Sequence, residues 1–484
     1  VSSFDPAALV TILPQILLLV LAAAILVADV ILPQERKKNL AVINVVGLII
    51  ILGVAVVWRP ETEFAFGGMV RADLTAQLFT VLFIAAAAIV SMMSMDFDRL
   101  HQDGVYYALV DIAALGLALM VVANDLIMLY LAMELTSITQ YVLVGYLRRS
   151  NRSSEAGMKY FIYGAVSSTV MLYGFSLLYG FTGQTNFSAV AVGLELVEGT
   201  AVLVAMVLVL VGFGFKVAAV PFHFWTPDVY EGAPTPITGY ISVASKAAGF
   251  VVLVRVVSFI FLEPFQHSQM IALLETLAIV TMTLGNLLAI PQRNIKRMLA
   301  YSSIAQAGYM LIGVAAANEL GISATFFYLG AYLVTNLAAF SIVVLVANKT
   351  GSDEISDFAG LSRRSPYLSL FLMIALLSLA GVPPLAGFFA KFFVFQAAIE
   401  AGLIRLAIIG VLNAIVGLYY YLTVIKVLLV GRPERLEDEQ DPVLVPTASR
   451  WALGITVFGI ILLGVLATPW YNLVTKAAET FFNG

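Results

Sequence analysis

The chain has 484 residues, 61% of them hydrophobic and 12% charged, with no cysteine and a formal net charge of −4. Soluble domains are about 45–50% apolar and about 25% charged, so this composition belongs to a polytopic membrane protein, all-α by the length of its apolar runs. It excludes disulfides and iron–sulfur or thiolate metal ligation; its three histidines (His101, His223, His267) are too scattered for bis-histidine haem, and no basic cluster suits nucleic acid.

Apolar runs bounded by charge, Gly or Pro predict spans at roughly 8–32, 40–58, 73–95, 105–123, 126–147, 158–182, 201–222, 234–260, 269–290, 295–316, 321–347, 366–399, 402–430 and 449–474, about fourteen helices in all. Leu9 to Val30 lacks a basic region before it and a prompt cleavage site after it, and reads as a first span rather than a removed signal. Lys and Arg gather in alternate loops, among them Arg36, Lys37, Lys38, Arg99, Arg148, Arg149, Arg152, Lys159, Arg293, Lys296, Arg297, Arg363, Arg364, Arg432, Arg435 and Arg450. The opposite side holds Arg59, Arg71, Arg405 and Lys476. The positive-inside rule makes the first side cytoplasmic and puts both termini outside, in a bacterial cytoplasmic membrane or a thylakoid-like one. The longest polar stretches, Gly351–Ser365 and Gly431–Arg450, are then cytoplasmic. The second contains Glu434, Glu437, Asp438, Glu439 and Asp441, and reads either as a solvated linker or as a docking surface for a partner.

Several charges fall inside spans. Glu134, in LAMELTSITQY, follows the helix-start acid Asp125 by nine residues, about 13 Å at 1.5 Å per residue, near the middle of the bilayer. It is either a structural partner of a neighbouring donor or a titratable acid. Lys216 and Lys246 flank the turn rich in proline, aromatic and acidic residues from Pro221 to Pro236. An ammonium in hydrocarbon costs roughly 2.5–3.5 kcal/mol on insertion scales, which demands a reason for each. Lys391 follows SLAGVPPLAGFFA, where Gly381, Pro383, Pro384 and Gly387 should break the helix; Pro221, with Gly212 and Gly214 upstream, does the same beside Lys216. A single such proline suits a packing kink. A lysine beside a break, repeated five spans later, suggests cavity-lining broken helices and an inverted repeat of spans four to eight in spans nine to thirteen. The expected segments are 1–104, 105–260, 261–430 and 431–484. Arg255 and Lys426 lie near span ends and can snorkel.

Asn286, Ser302, Ser303, Gln306, Tyr309, Tyr332, Thr335 and Asn336 put polar groups on the ninth to eleventh spans, singly suited to interhelical hydrogen bonds and jointly to a wire of waters. His223, just past Pro221, is either a hydrogen-bonded loop imidazole or a proton shuttle. A group that relays protons must gain and lose charge near neutral pH; burial disfavours an ammonium and a nearby carboxylate favours it. A carboxylate approaching or leaving a buried lysine would thus load or unload it, and Glu134, Lys216, Lys246 and Lys391 are the expected relay.

WTPDVYEGAPTPITGYISVASKAAGF, QRNIKRMLAYSSIAQAGYMLIG and GVPPLAGFFAKFFVF resemble the antiporter-like membrane subunits of respiratory complex I, NADH:quinone oxidoreductase, in their N-type branch, which includes subunit 2 of mitochondria and its photosynthetic counterpart. The likeness is strong from Asp125 to Phe395. It implies a fourteen-helix bundle with inverted five-helix repeats and broken seventh and twelfth helices. It also implies a proton-translocating role for the fifth-helix Glu134, seventh-helix Lys216, eighth-helix Lys246 and twelfth-helix Lys391, the last being glutamate in some sister subunits. The short tail after the last span leaves no room for the long lateral helix of the largest sister. Cofactors are expected in partner chains only: FMN, iron–sulfur clusters and quinone, with NADH, NADPH or ferredoxin as donor. Neighbouring antiporter-like and small membrane subunits are the expected partners. The competing readings are a subunit of a multisubunit cation/proton antiporter, which shares the buried charges, and a passive scaffold, which would not need them.

Overall fold

In hydrocarbon every backbone N–H and C=O must find a partner inside its own segment, so long apolar runs become helices. A computed structural model describes residues 7–59, 64–100, 103–432 and 442–481; His101, Arg435 and the acidic residues Glu434, Glu437, Asp438, Glu439 and Asp441 lie outside them. Thirteen of the described helices are long and apolar enough to cross a membrane. They are α1 (Leu13–Ile31), α2 (Lys38–Val57), α3 (Leu74–Met95), α4 (Gly104–Val122), α5 (Leu126–Val144), α6 (Asn151–Thr182) and α7 (Gly199–Val217), then, after the short α8 (Trp225–Gly232), α9 (Thr235–Phe259), α10 (Pro264–Ala289), α11 (Ile295–Ala315) and α12 (Glu319–Thr350). Past a split pair come α15 (Ile404–Val430) and α16 (Thr447–Val465). The split pair is α13 (Pro366–Ala380) and α14 (Ala386–Glu400), 15 residues each, where the sequence suggests one broken span. Gly381, with φ +89°, ends α13 in the left-handed region where a side chain would be strained. Among the described residues the only paired strands are Phe64–Ala65 and Val70–Arg71.

Three boundaries differ from expectation. The sixth span begins at Asn151, because Ser150 Oγ caps it by accepting from the Ser153 N–H and its polar first turns are held by ion pairs to α8. The seventh ends at Val217 rather than 222: Ala218 takes φ +60° and its N–H closes on the Gly214 and Phe215 carbonyls. The last apolar run is two helices, since Leu466 leaves the helical region after Val465 and α17 (Ala467–Glu479) follows, carrying Pro469 in its first turn, where the missing N–H costs nothing.

Arg255 does not snorkel. It is fully buried in α9 and its Nη2 donates to both oxygens of Asp73, at 2.7 and 2.8 Å, while Asp73 Oδ1 also caps α3 by accepting from the Ala76 N–H. Lys426, by contrast, is exposed. The middle of the bundle is α9, α11 and α12, each 94% buried across its apolar window, whereas α1 and α6 are 28% buried and turn apolar surface outward. The expected relay lysines sit in or against that buried centre.

Candidate functional site

Asp125 starts α5 by accepting from the N–H groups of Ile127 and Met128. From there Glu134, Ser137 and Gln140 recur every three residues and share one face of the helix. Glu134 is half-buried, and Ser137 and Gln140 are buried. Lys216, 2% exposed in the last turn of α7, donates to Ser137 Oγ at 3.1 Å, so a serine rather than Glu134 holds its ammonium. Its stem lies against Gly249 of α9: a β-carbon there would come 3.1 Å from Lys216 Cγ.

One turn further along α5, Gln140 Oε1 accepts from Tyr160 Oη at 3.2 Å and from Ser245 Oγ at 3.1 Å. Ser245 ends a π-helical turn, Ile241–Ser245, inside α9, and Lys246 is its neighbour. Such bulges recur at functional sites. Lys246, 1% exposed, donates to Ser303 O at 2.8 Å and Ser303 Oγ at 2.6 Å. Ser303 Oγ also accepts from Tyr332 at 2.8 Å, Tyr332 Oη accepts from the Asn336 amide at 3.1 Å, and that amide donates to Ser242 Oγ at 2.7 Å.

A turn along α11, Gln306 Nε2 donates to the Leu379 carbonyl at 3.0 Å and to Tyr421 Oη at 3.1 Å, while its Oε1 accepts from Tyr328. The Leu379 carbonyl also receives Lys391. That ammonium, on a residue 5% exposed, donates to Leu379 O at 3.0 Å and Ala380 O at 2.9 Å and lies 4.8 Å from the centre of the Tyr309 ring. These carbonyls are the unpaired C-terminal end of α13, where the helix dipole favours a cation. Tyr309 Oη in turn accepts from Asn286 at 2.9 Å, and Thr335 Oγ1 meets Ser378 Oγ at 3.1 Å. Among the described residues none of the three lysines has a carboxylate within ion-pair distance.

The expected lysines therefore join one polar line across the bundle: Lys216–Ser137, Gln140–Ser245, Lys246–Ser303, Gln306–Leu379 O–Lys391. Glu134 stands at its half-exposed end. His223 does not join it. The imidazole is 6% exposed and tilts against Phe224 with ring centres 4.6 Å apart, its Nδ1 has no hydrogen bond among the described residues, and burial holds it below the ordinary histidine value. Ser137, Gln140, Ser245 and the tyrosines Tyr160 and Tyr328 escaped the sequence reading. One signal could have found Ser137 and Gln140: Ser137-Ile138-Thr139-Gln140 is matched by Ser303-Ile304-Ala305-Gln306, and each glutamine oxygen accepts from a tyrosine of the following long helix.

Buried ammonium groups seated beside helix breaks and linked by hydroxyls and amides define an intramembrane transporter-type subunit. The chain belongs to the NADH:quinone oxidoreductase/Mrp antiporter transmembrane family, whose model matches residues 123–417. It is 41% identical to NADH-quinone oxidoreductase subunit N of Dehalococcoides mccartyi, across 96% of this chain and 98% of that one. A chain of respiratory complex I from Thermus thermophilus superposes with TM-score 0.81 at 32% identity, covering 96% of this chain and 99% of that one. A chain of the Mrp complex from Dietzia shares the fold, with TM-score 0.83 at 22% identity over 99% and 98% of the two chains.

Proposed function

We infer that this chain is the N-type, proton-translocating membrane subunit of a complex I-type quinone oxidoreductase, with electron transfer confined to partner chains. The observation that carries this reading is the buried line from Lys216 to Lys391, in which every ammonium is held by neutral oxygens and successive members are joined by a hydroxyl, an amide, one helical turn or, at Ser245 and Lys246, adjacent positions in α9. Neutral holders suit a group that must release its proton. A full carboxylate pair would pin the charge, and breaking it would be costly. Glu134 would work at a distance, favouring a charged Lys216 when the two draw together.

In this reading FMN, iron–sulfur clusters and quinone sit in partner subunits, and the absence of cysteine from the sequence leaves no thiolate here for a cluster. Other membrane subunits would cover the outward faces of α1 and α6, and both termini would face outside. The repeat reading, 105–260 inverted in 261–430 between flanking segments 1–104 and 431–484, is supported by the twin Ser-Ile-x-Gln stretches and by a break near both Lys216 and Lys391. A cation/proton antiporter subunit is the alternative, since the matching family spans both NADH:quinone oxidoreductase and Mrp antiporter chains.

The test is Lys216→Ala in the assembled complex. It should leave assembly intact and lower quinone-reductase turnover together with proton pumping in proteoliposomes. Normal turnover with normal pumping would sink the relay. Gentle purification of a tagged chain separates the two enzyme classes: co-purifying iron–sulfur proteins mark the redox-driven pump, and only hydrophobic chains without a chromophore mark the antiporter.

A further inference from the structure

Outside the line just described lies another intramembrane carboxyl. Asp111 is fully buried in α4, seven residues and about 10 Å into the helix. It faces the Asn44 amide of α2. With the amide nitrogen turned toward it, Nδ2 lies 2.7 and 3.1 Å from the two carboxyl oxygens, and the amide oxygen accepts from Ser91 Oγ of α3 at 3.2 Å. The side chain that holds Asp111 is neutral, as is the Ser91 hydroxyl behind it. An aspartate at a helix centre costs about 2.5–3.5 kcal/mol on insertion scales, and an asparagine would satisfy the same neighbours more cheaply.

Polar groups continue on both sides of it. One turn from Ser91, Ser94 Oγ meets Tyr106 Oη at 2.8 Å, both residues fully buried. Tyr106 packs edge-on against Tyr146, with ring centres 5.2 Å apart, and Tyr146 donates to Asp103, the N-cap of α4 on the side that the basic loops assign to the cytoplasm. Toward the bundle centre α9 packs against both α3 and α4, and there its Tyr240 is fully buried with a hydroxyl that has no hydrogen-bond partner among the described residues. Buried hydroxyls are ordinarily paired, with ordered water where protein offers nothing. Two residues on, Ser242 begins the path through Asn336 and Tyr332 to Ser303, the acceptor of Lys246.

We propose that α2, α3 and α4 carry a second proton-uptake route, from Asp103 and Tyr146 through Tyr106–Ser94 and Ser91–Asn44 to Asp111, which hands its proton to Lys246 by way of Tyr240. In the transfer Asp111 goes from acid to carboxylate and the Lys246 amine becomes ammonium. The tyrosine hydroxyl gives up one proton as it takes another, and no electron moves. The inference rests on the proton-translocating reading above, and its test separates the two.

The measurement compares Asp111→Asn, Asp111→Glu and Lys246→Ala in the assembled complex, reading quinone-reductase turnover, proton pumping in proteoliposomes and the infrared difference spectrum on reduction. Asp111→Asn keeps an acceptor for the Asn44 amide but cannot carry a proton. It should lower coupled turnover several-fold and remove a carboxylic C=O band, and Asp111→Glu should restore much of both. Wild-type turnover and pumping in Asp111→Asn, alongside impaired Lys246→Ala, would overturn the second route alone. Normal behaviour of both variants would overturn the relay itself. If Asp111→Asn does not assemble, Tyr240→Phe, which removes one oxygen, decides: slowed coupled turnover supports the route and an unchanged rate overturns it.

Discussion

The relay lysines are seated in different ways, and the difference sets what each tolerates. Lys216 leans on a serine hydroxyl and Lys246 on a serine hydroxyl beside one main-chain carbonyl; a hydroxyl can donate as well as accept, so it suits an amine or an ammonium. Lys391 leans on two main-chain carbonyls and a tyrosine face, all of which favour positive charge and none of which can donate. The family resemblance raises the expectation that glutamate could replace it and leave a titratable group. The geometry argues otherwise, because a carboxylate here would confront two acceptors and a ring's negative face. Lys391→Glu should therefore impair coupled turnover as severely as Lys391→Ala; substantial retention would show that the carbonyl seat is not what holds the proton carrier.

At the scale of elements, the short helix α8 ties α6 to α11. Asp228 accepts from Lys159 of α6 at 2.6 Å and from Arg297 of α11 at 2.7 Å, and Glu231 of the same helix also meets Arg297, at 3.1 Å. Burial pushes the Asp228 carboxyl up, but the hydrogen bonds from Lys159 and then Arg297 overcome this and hold it below its ordinary value. A depressed folded-state value means that the carboxylate contributes stability above about pH 4, lost as pH falls through the folded value. Thermal inactivation of the complex should steepen in that acid window, and Asp228→Asn should flatten the change; an identical pH profile in the variant would remove the clamp from the account. This element was only partly legible. The charges were visible as a basic loop, but their pairing depends on α6 extending upstream to Asn151, which an apolar-run criterion cannot see.

Across the whole molecule the spans, the split twelfth helix and the three lysines could be read directly, because hydrocarbon leaves few ways to satisfy a backbone and makes every buried charge conspicuous. What stayed hidden were neutral groups and long-range pairs. Ser137 and Gln140 look like ordinary helix residues until α7 and α9 are packed against them, and Arg255 looked free to reach the surface until Asp73, 182 positions away in sequence, met it. Removing one partner of such a buried pair typically costs about 3–5 kcal/mol. Arg255→Met should lower the inactivation temperature of the solubilised complex with little change in turnover at low temperature, since Arg255 lies off the polar line; unchanged thermal stability would mark the pair as dispensable.

The carbonyl seat of Lys391 has an evolutionary corollary. Its acceptors belong to the peptide chain, so no side-chain replacement at Leu379 or Ala380 deletes them. Sequence drift at those two positions is thus buffered, and the vulnerability moves to whatever sets the path of the backbone. That burden falls on Gly381, whose φ of +89° exposes the carbonyls and where a β-carbon would come 3.0 Å from Lys391 Cδ.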